Sequence, residues 1–349
     1  MAIINNKKEI RLSKSCLSDR EKQAVMGVLD RGFLGMGNEV QQFEKDLTSF
    51  FGRQALCVAS GTAALQLALE AAGIGLGDEV LVQSLTYVAS FQAISATGAK
   101  PVACDINNET FCLDWKDAET RLTSKTKAIM PVHYSGGVGF LDEIYEFANK
   151  HGLRVIEDAA HAFGTKYQDK KVGGFGDISC FSFDGIKNIT SGEGGCIVTD
   201  DKEVLRKVRN ARLLGVDKDT EKRYAGERSW NFDVEFQGWR FHMSNIMAAI
   251  GIEQLKRFPI MANTRQLLAI KYDALLLEHQ SIHPLNHNYN EIVPHIYVVR
   301  IFKPYDRNLI QSKLLEKGIQ TGIHYQPNHK LSFYYNLSLI HISEPTRPY

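Results

Sequence analysis

Lys187 stands between an apolar stretch, Cys180-Phe181-Ser182-Phe183, and a glycine-rich turn, Gly192-Glu193-Gly194-Gly195. Most lysines are solvated surface groups. A lysine in a half-buried loop is different, because its amine gives up its proton more readily and can attack an aldehyde carbon. Ser182 offers a hydroxyl nearby, and the glycines permit tight turns beneath a flat ring. A second stretch, Val155-Ile156-Glu157-Asp158-Ala159-Ala160-His161, is an apolar run ending in two carboxylates. At the carboxyl end of a parallel strand such a group points into a ligand crevice. Side chains alternate along a strand, so only one of Glu157 and Asp158 need face it. Asp158 could pair with a protonated heterocyclic nitrogen; taken alone, the segment also reads as an exposed acidic turn. A third stretch, Ser60-Gly61-Thr62-Ala63, follows a strand-like run and opens a helix-like one. Free N–H groups there bind anions, and Gly61 lets a phosphate come close. Ser60 and Thr62 can add hydroxyl donors, although the same four residues could form only a turn and a cap.

The three stretches supply a phosphate nest, an acid for a ring nitrogen and an amine for an aldehyde. Those are the handles that pyridoxal phosphate needs. Tyr87 adds an aromatic ring able to stack on a flat cofactor; its other reading is a core residue.

These residues need a scaffold that brings strand ends together. Ala55–Ala59, Glu79–Val82, Pro101–Asp105, Leu153–Glu157, Ile178–Phe183 and Gly195–Thr199 read as strands. Thr62–Ala72, Val88–Thr97 and Leu141–His151 read as helices between them. This alternation predicts an α/β fold, a mostly parallel sheet covered by helices on both faces. Asn210–Trp230 is highly charged and weakly periodic, which predicts an exposed loop. Ser244 is a plausible N-cap for a helix over Ser244–Leu255. A further helical pattern from Thr264 leads into strand-like Ile292–Phe302, the expected start of a smaller α+β unit.

Composition narrows the function. The 349 residues carry 41 basic and 40 acidic side chains, which argues against bulk binding to nucleic acid or an anionic membrane. Val80–Ala99 is a long uncharged run, but its serines, threonines and glutamines do not suit a bilayer span. The amino-terminal stretch lacks the apolar core of a signal peptide. Six scattered cysteines without CxxC spacing suggest reduced, mostly buried thiols in the cytoplasm, with neither a disulfide framework nor a metal site.

From about Leu34 to Tyr325 the chain resembles the DegT/DnrJ/StrS sugar aminotransferases, a family with the type I fold of pyridoxal phosphate enzymes. The resemblance is carried by GNEVQQFEKDLTSFFG, SGTAAL, GIGLGDEVLVQSLTYVAS, GAKPVACDI, MPVHYSGG, VIEDAAHAFGT, FSFDGIKN, GEGGCIVTDD and GIHYQP, in family order and spacing. It implies that Lys187 is the Schiff-base lysine and proton shuttle. It implies that Asp158 partners the pyridine nitrogen, His161 lies near the ring hydroxyl and Tyr87 stacks on the ring. Gly61, Thr62, Ala63 and Ser182 match phosphate contacts, and His324 and Tyr325 match a substrate-side element. The family often has Asn in a segment donated by the partner subunit; here Arg240 stands in its place, within Gly238-Trp239-Arg240-Phe241-His242-Met243. An arginine there could still pair with a phosphate.

The resemblance further implies a large cofactor-binding domain with an amino-terminal arm over 1–258 and a small α+β domain over 259–336. The last residues, LSLIHISEPTRPY (337–349), look foreign to the rest and are expected to be a non-native tail on a truncated small domain. The implied enzyme is a cytoplasmic homodimer with shared sites. It aminates a nucleotide-linked 4-keto or 3-keto deoxysugar, with glutamate as the donor, in lipopolysaccharide O-antigen, capsule or antibiotic sugar synthesis. A dehydratase of the same fold is the nearest alternative, but such relatives often carry His where Lys187 stands. A regulatory paralogue that senses an amino sugar is the other; it would usually carry a DNA-binding region.

Overall fold

The computed structural model describes residues 9–227 and 231–336. Two helices come first, α1 (Asp19–Arg31) and α2 (Asn38–Phe51). Ser18 and Glu21 form a capping box at the start of α1, and Gly32 ends it in the left-handed region at φ 70°. The strands that follow are β1 (Ala55–Val58), β2 (Glu79–Gln83), β3 (Lys100–Cys104), β4 (Thr126–Met130) and β5 (Arg154–Asp158). A small antiparallel hairpin, β6 (Lys166–Tyr167) and β7 (Lys170–Lys171), leads to β8 (Ile178–Ser182) and β9 (Gly195–Thr199).

Seven strands form one sheet in the order β1-β9-β8-β5-β4-β2-β3. β9 runs antiparallel to β1 and β8, and the other pairs are parallel. The helices on this sheet are α3 (Gly61–Ala71), α4 (Val88–Ala96), α5 (Trp115–Thr120), α6 (Leu141–His151), α7 (Lys202–Ala211) and α8 (Asp219–Tyr224). The expected α/β architecture with a mostly parallel sheet is therefore present. Every residue of β1, β8 and β9 is buried, as a sheet covered on both faces requires. Alternate residues serve opposite cores: Leu56, Val58, Ile178 and Cys180 pack with α3, while Phe181 joins Phe43, Leu47 and Phe163 on the other face. α3 is apolar nearly all round, so it suits the centre of the molecule rather than its surface.

β4 lies between β5 and β2, yet it went unread in the sequence. Its five residues, TKAIM, carry only three apolar side chains and a lysine, so no strand pattern stands out.

The segment 210–230 corrects the expectation of an exposed loop. Residues 219–224 form α8, and Arg212 is fully buried. Its guanidinium donates to Glu44 of α2, to the Cys57 carbonyl at 2.7 Å and to the Tyr224 hydroxyl at 3.3 Å. Charge density in sequence predicts exposure only for charges without partners; here the partner lies 168 residues away. Arg228, Ser229 and Trp230 lie outside the described residues.

Ser244 caps as expected, its hydroxyl accepting from Met247 N–H at 3.3 Å. The helix it opens, α9 (Asn245–Leu276), runs 32 residues with Pro259 inside it. The expected boundary at 258/259 falls within this one helix. Beyond it, β10 (Ile282–Pro284) and β11 (Val299–Ile301) pair antiparallel, followed by α10 (Arg307–Glu316) and α11 (Ser332–Asn336). Of the strand-like run 292–302, only 299–301 is strand. Residues 292–296 instead pack as a loop against the sheet's carboxyl end, held by the contacts described below. The tail 337–349 lies outside the described residues. No helix among the described residues is long and apolar enough to cross a membrane.

Candidate active site

The carboxyl ends of β1, β2, β5 and β8 converge, and the predicted site residues follow from those ends. After β1, Ser60 caps α3, its hydroxyl accepting from Ala63 N–H at 3.1 Å. The N–H groups of Gly61 and Thr62 are left as open donors of the first turn. A Cβ at Gly61 would lie 2.7 Å from Ser182 Cβ, so glycine lets the helix start touch the end of β8. Ser182 Oγ accepts from Asp184 N–H at 3.4 Å, which aims it at the same corner. Gly61, Thr62, Ala63 and Ser182 are thus brought together, with Thr62 exposed and Ala63 buried.

At the end of β5 the two carboxylates part. Glu157 is fully buried on one face, where its Oε2 lies 2.6 Å from His133 Nε2 and its Oε1 accepts from the Tyr145 hydroxyl at 2.7 Å. Asp158 faces the site. Its Oδ2 accepts from Ser90 Oγ at 2.7 Å and its Oδ1 from Ala160 N–H at 3.2 Å.

The lysine loop is clamped at both ends. Lys187 N–H donates to Asp184 O, and Asn188 Nδ2 donates to the carbonyls of Phe163 and Val293 at 3.1 and 3.2 Å. Lys187 itself is half-buried. Burial pulls its amine below the ordinary lysine range, and the charges of Asp158 and Asp184 oppose that shift. The amine is therefore easier to obtain unprotonated than a surface lysine.

Around it stand ring side chains. His161 is buried, and its Nε2 lies 3.2 Å from the Tyr325 hydroxyl. The ring of His295 sits 4.4 Å from that of His161. Burial first, then His295, Lys187 and His324, push His161 well below the usual imidazole range, and burial, Lys187, Arg265 and His324 do the same to His295. Tyr134 donates to the His324 carbonyl. Tyr87, 58% exposed at the start of α4, has its ring 5.7 Å from Tyr325. His324 is half-buried, and burial together with Lys187 lowers its pKa.

Arg240 is the predicted residue that this chain does not bring into the cluster. It is exposed and forms a β-bridge with Leu213, near His242. Conversely, Ser90, His295 and Tyr134 belong to the cluster and were not singled out in the sequence. Ser90 had a faint signal, its spacing of four from Thr86 at a helix start. His295 had none.

The residues fit pyridoxal phosphate on two observations. Glycine at 61 lets the first turn of α3 close on Ser182, so that backbone N–H groups and a hydroxyl meet at one corner. His161 Nδ1 is buried without a partner in the cluster, as a group waiting on a ligand would be.

Comparison with known proteins agrees. The profile of the DegT/DnrJ/EryC1/StrS aminotransferase family matches residues 15–342. The spore coat polysaccharide biosynthesis protein SpsC of Bacillus subtilis (strain 168) is 38% identical over 325 residues, 91% of this chain and 83% of SpsC. Spr1654 of Streptococcus pneumoniae in its PMP form superposes with a TM-score of 0.87 at 31% identity, covering 95% of this chain and 87% of that one; it has also been solved in PLP and apo forms. PseC of Helicobacter pylori, an aminotransferase involved in the biosynthesis of pseudoaminic acid, gives a TM-score of 0.87 at 30% identity, covering 95% and 88%. The chain belongs to the DegT/DnrJ/EryC1/StrS aminotransferase family, and its enzyme class is pyridoxal phosphate-dependent amino transfer to sugars.

Proposed function

We propose that the protein moves an amino group from glutamate to the 4- or 3-keto carbon of a nucleotide-linked deoxysugar. The observation that carries this reading is the half-buried Lys187 amine, set near Asp158 in the loop that follows Ser182, which touches the start of α3. When bound, pyridoxal phosphate supplies an electron sink and carries the amino group between donor and acceptor.

The chain's residues do the rest. The N–H groups of Gly61 and Thr62, with Ala63 and the Ser182 hydroxyl, hold the phosphate. Asp158 would pair with the ring nitrogen. His161 would stand by the ring hydroxyl, and Tyr87 would cover one ring face. With the cofactor bound, the Lys187 amine would serve as the base that takes the proton from Cα of the donor and as the acid that returns it, the order reversing with the sugar. His324 and Tyr325 line the sugar side. In a homodimer with shared sites, Arg240 reaches the phosphate bound by the partner.

Lysine, rather than histidine, at position 187 supports amino transfer over dehydration. The likeness to SpsC, a spore coat polysaccharide biosynthesis protein, supports an amino sugar destined for a polysaccharide, of which lipopolysaccharide O-antigen is one kind. The cytoplasm, where nucleotide-linked sugars are made, is the proposed site of action. The test is product formation from glutamate and nucleotide-linked keto sugars, read by mass spectrometry. The wild type yields an aminated sugar, and Lys187→Ala slows turnover at least about a hundredfold. Equal turnover in the variant would refute the assignment.

A further inference from the structure

Asp158 is one end of a hydrogen-bonded run that leads away from the site. Its Oδ2 accepts from Ser90 Oγ at 2.7 Å, and Ser90 Oγ lies 3.0 Å from Thr86 Oγ1. All three side chains are buried: Ser90 is 0% exposed, Thr86 2% and Asp158 5%. Thr86 lies just before the N-cap of α4 and Ser90 in its first turn, where the two hydroxyls meet.

The direction of the run follows from the chemistry. The Ser90 hydroxyl has one proton, and it goes to Asp158 at 2.7 Å rather than to the Tyr87 carbonyl at 3.4 Å. Ser90 Oγ then accepts from the Thr86 hydroxyl. The loop that carries Thr86 is itself fixed. Asn328, fully buried, donates its amide to the carbonyls of Thr86 at 2.8 Å and Ser84 at 3.1 Å. Its N–H donates to Ser84 O at 2.8 Å.

We propose that Ser90 is a positioning residue for Asp158, and that Thr86 sets the direction of the Ser90 hydroxyl. This rests on the reading of Asp158 as the partner of the ring nitrogen. A hydrogen bond donated to a carboxylate fixes which way its oxygens point, as a pairing with one ring nitrogen requires. At 2.7 Å the Ser90 bond is the short one of the two that hold Asp158, the Ala160 contact being 3.2 Å. Without the Ser90 hydroxyl, a buried carboxylate keeps only that longer bond and loses its fixed orientation.

The experiment compares Ser90→Ala, Thr86→Val and Asp158→Asn with the wild-type holoenzyme. Each of the first two removes one hydroxyl and little volume. The readouts are the absorbance and visible circular dichroism of bound pyridoxal phosphate, and kcat and KM for glutamate taken separately. Melting temperatures check folding. Ser90→Ala is expected to bind the cofactor but shift its band and dichroism in the direction that Asp158→Asn does. Its kcat falls about tenfold while KM stays within about twofold. Thr86→Val moves the same way by less, and Ser90→Ala adds nothing in the Asp158→Asn background. A wild-type spectrum and kcat in Ser90→Ala, beside an impaired Asp158→Asn, overturns the positioning role and leaves Asp158 in place. A wild-type Asp158→Asn overturns the reading of Asp158, and the positioning role with it.

Discussion

At the scale of residues, the site gathers nitrogen bases where water is scarce. His161 and His295 are both held neutral by burial, and a proton on either would be opposed by Lys187 and His324, with His295 adding to this at His161 and Arg265 at His295. This has a consequence for acid stability. In the unfolded chain each imidazole takes a proton near pH 6.5, and in the fold only well below that. Between those points the unfolded state binds more protons, so stability falls as pH drops through 6.5. Each such histidine contributes a slope of up to about 1.4 kcal/mol per pH unit. His295→Phe, which keeps ring and volume, should therefore lose stability less steeply between pH 6.5 and 5 when urea unfolding is measured at several pH values. A slope equal to wild type would mean that His295 is protonated in the fold. Lys187, Asp158 and Gly61 were legible in the sequence because each sits in a local pattern of residue types. His295 and Ser90 were not, since their meaning comes from neighbours far along the chain: 134 residues separate His161 from His295, and 68 separate Ser90 from Asp158.

At the scale of elements, the phosphate corner is a contact between the start of α3 and the end of β8. A Cβ on Gly61 would lie 3.2 Å from Ser182 Cα as well as 2.7 Å from its Cβ, so backbone must move to admit it. Overpacking of this kind costs about 1–3 kcal/mol. Gly61→Ala is expected to lower both the melting temperature and the affinity for pyridoxal phosphate, read by absorbance titration. Wild-type affinity in that variant would show that the corner does not hold the phosphate. The strands around this corner were readable because buried parallel strands are short apolar runs between turn signals. β4 escaped because only three of its five residues are apolar. Segment 210–230 was misread because the Glu44–Arg212 pair joins elements that no local pattern connects.

At the scale of the molecule, the sheet fixes one half of the site while the segment after α10 brings His324, Tyr325 and Asn328 over it. Arg240 stays exposed, outside this chain's own cluster. The proposal that it serves a partner's site predicts complementation. Lys187→Ala and Arg240→Ala, each impaired alone, should regain activity when mixed and refolded together. The hybrid dimer would hold one site with both native residues. No recovery would place the action of Arg240 within its own chain. The central claim, that Lys187 is the amine of an aminotransferase fed by glutamate, is tested most directly by an absorbance spectrum. The holoprotein is measured before and after glutamate is added, with Lys187→Ala alongside. The wild type should show a cofactor band near the edge of the visible that collapses on addition, and the variant should lack that change. A glutamate response that persists in Lys187→Ala, or a fully loaded wild type indifferent to glutamate, would contradict the account.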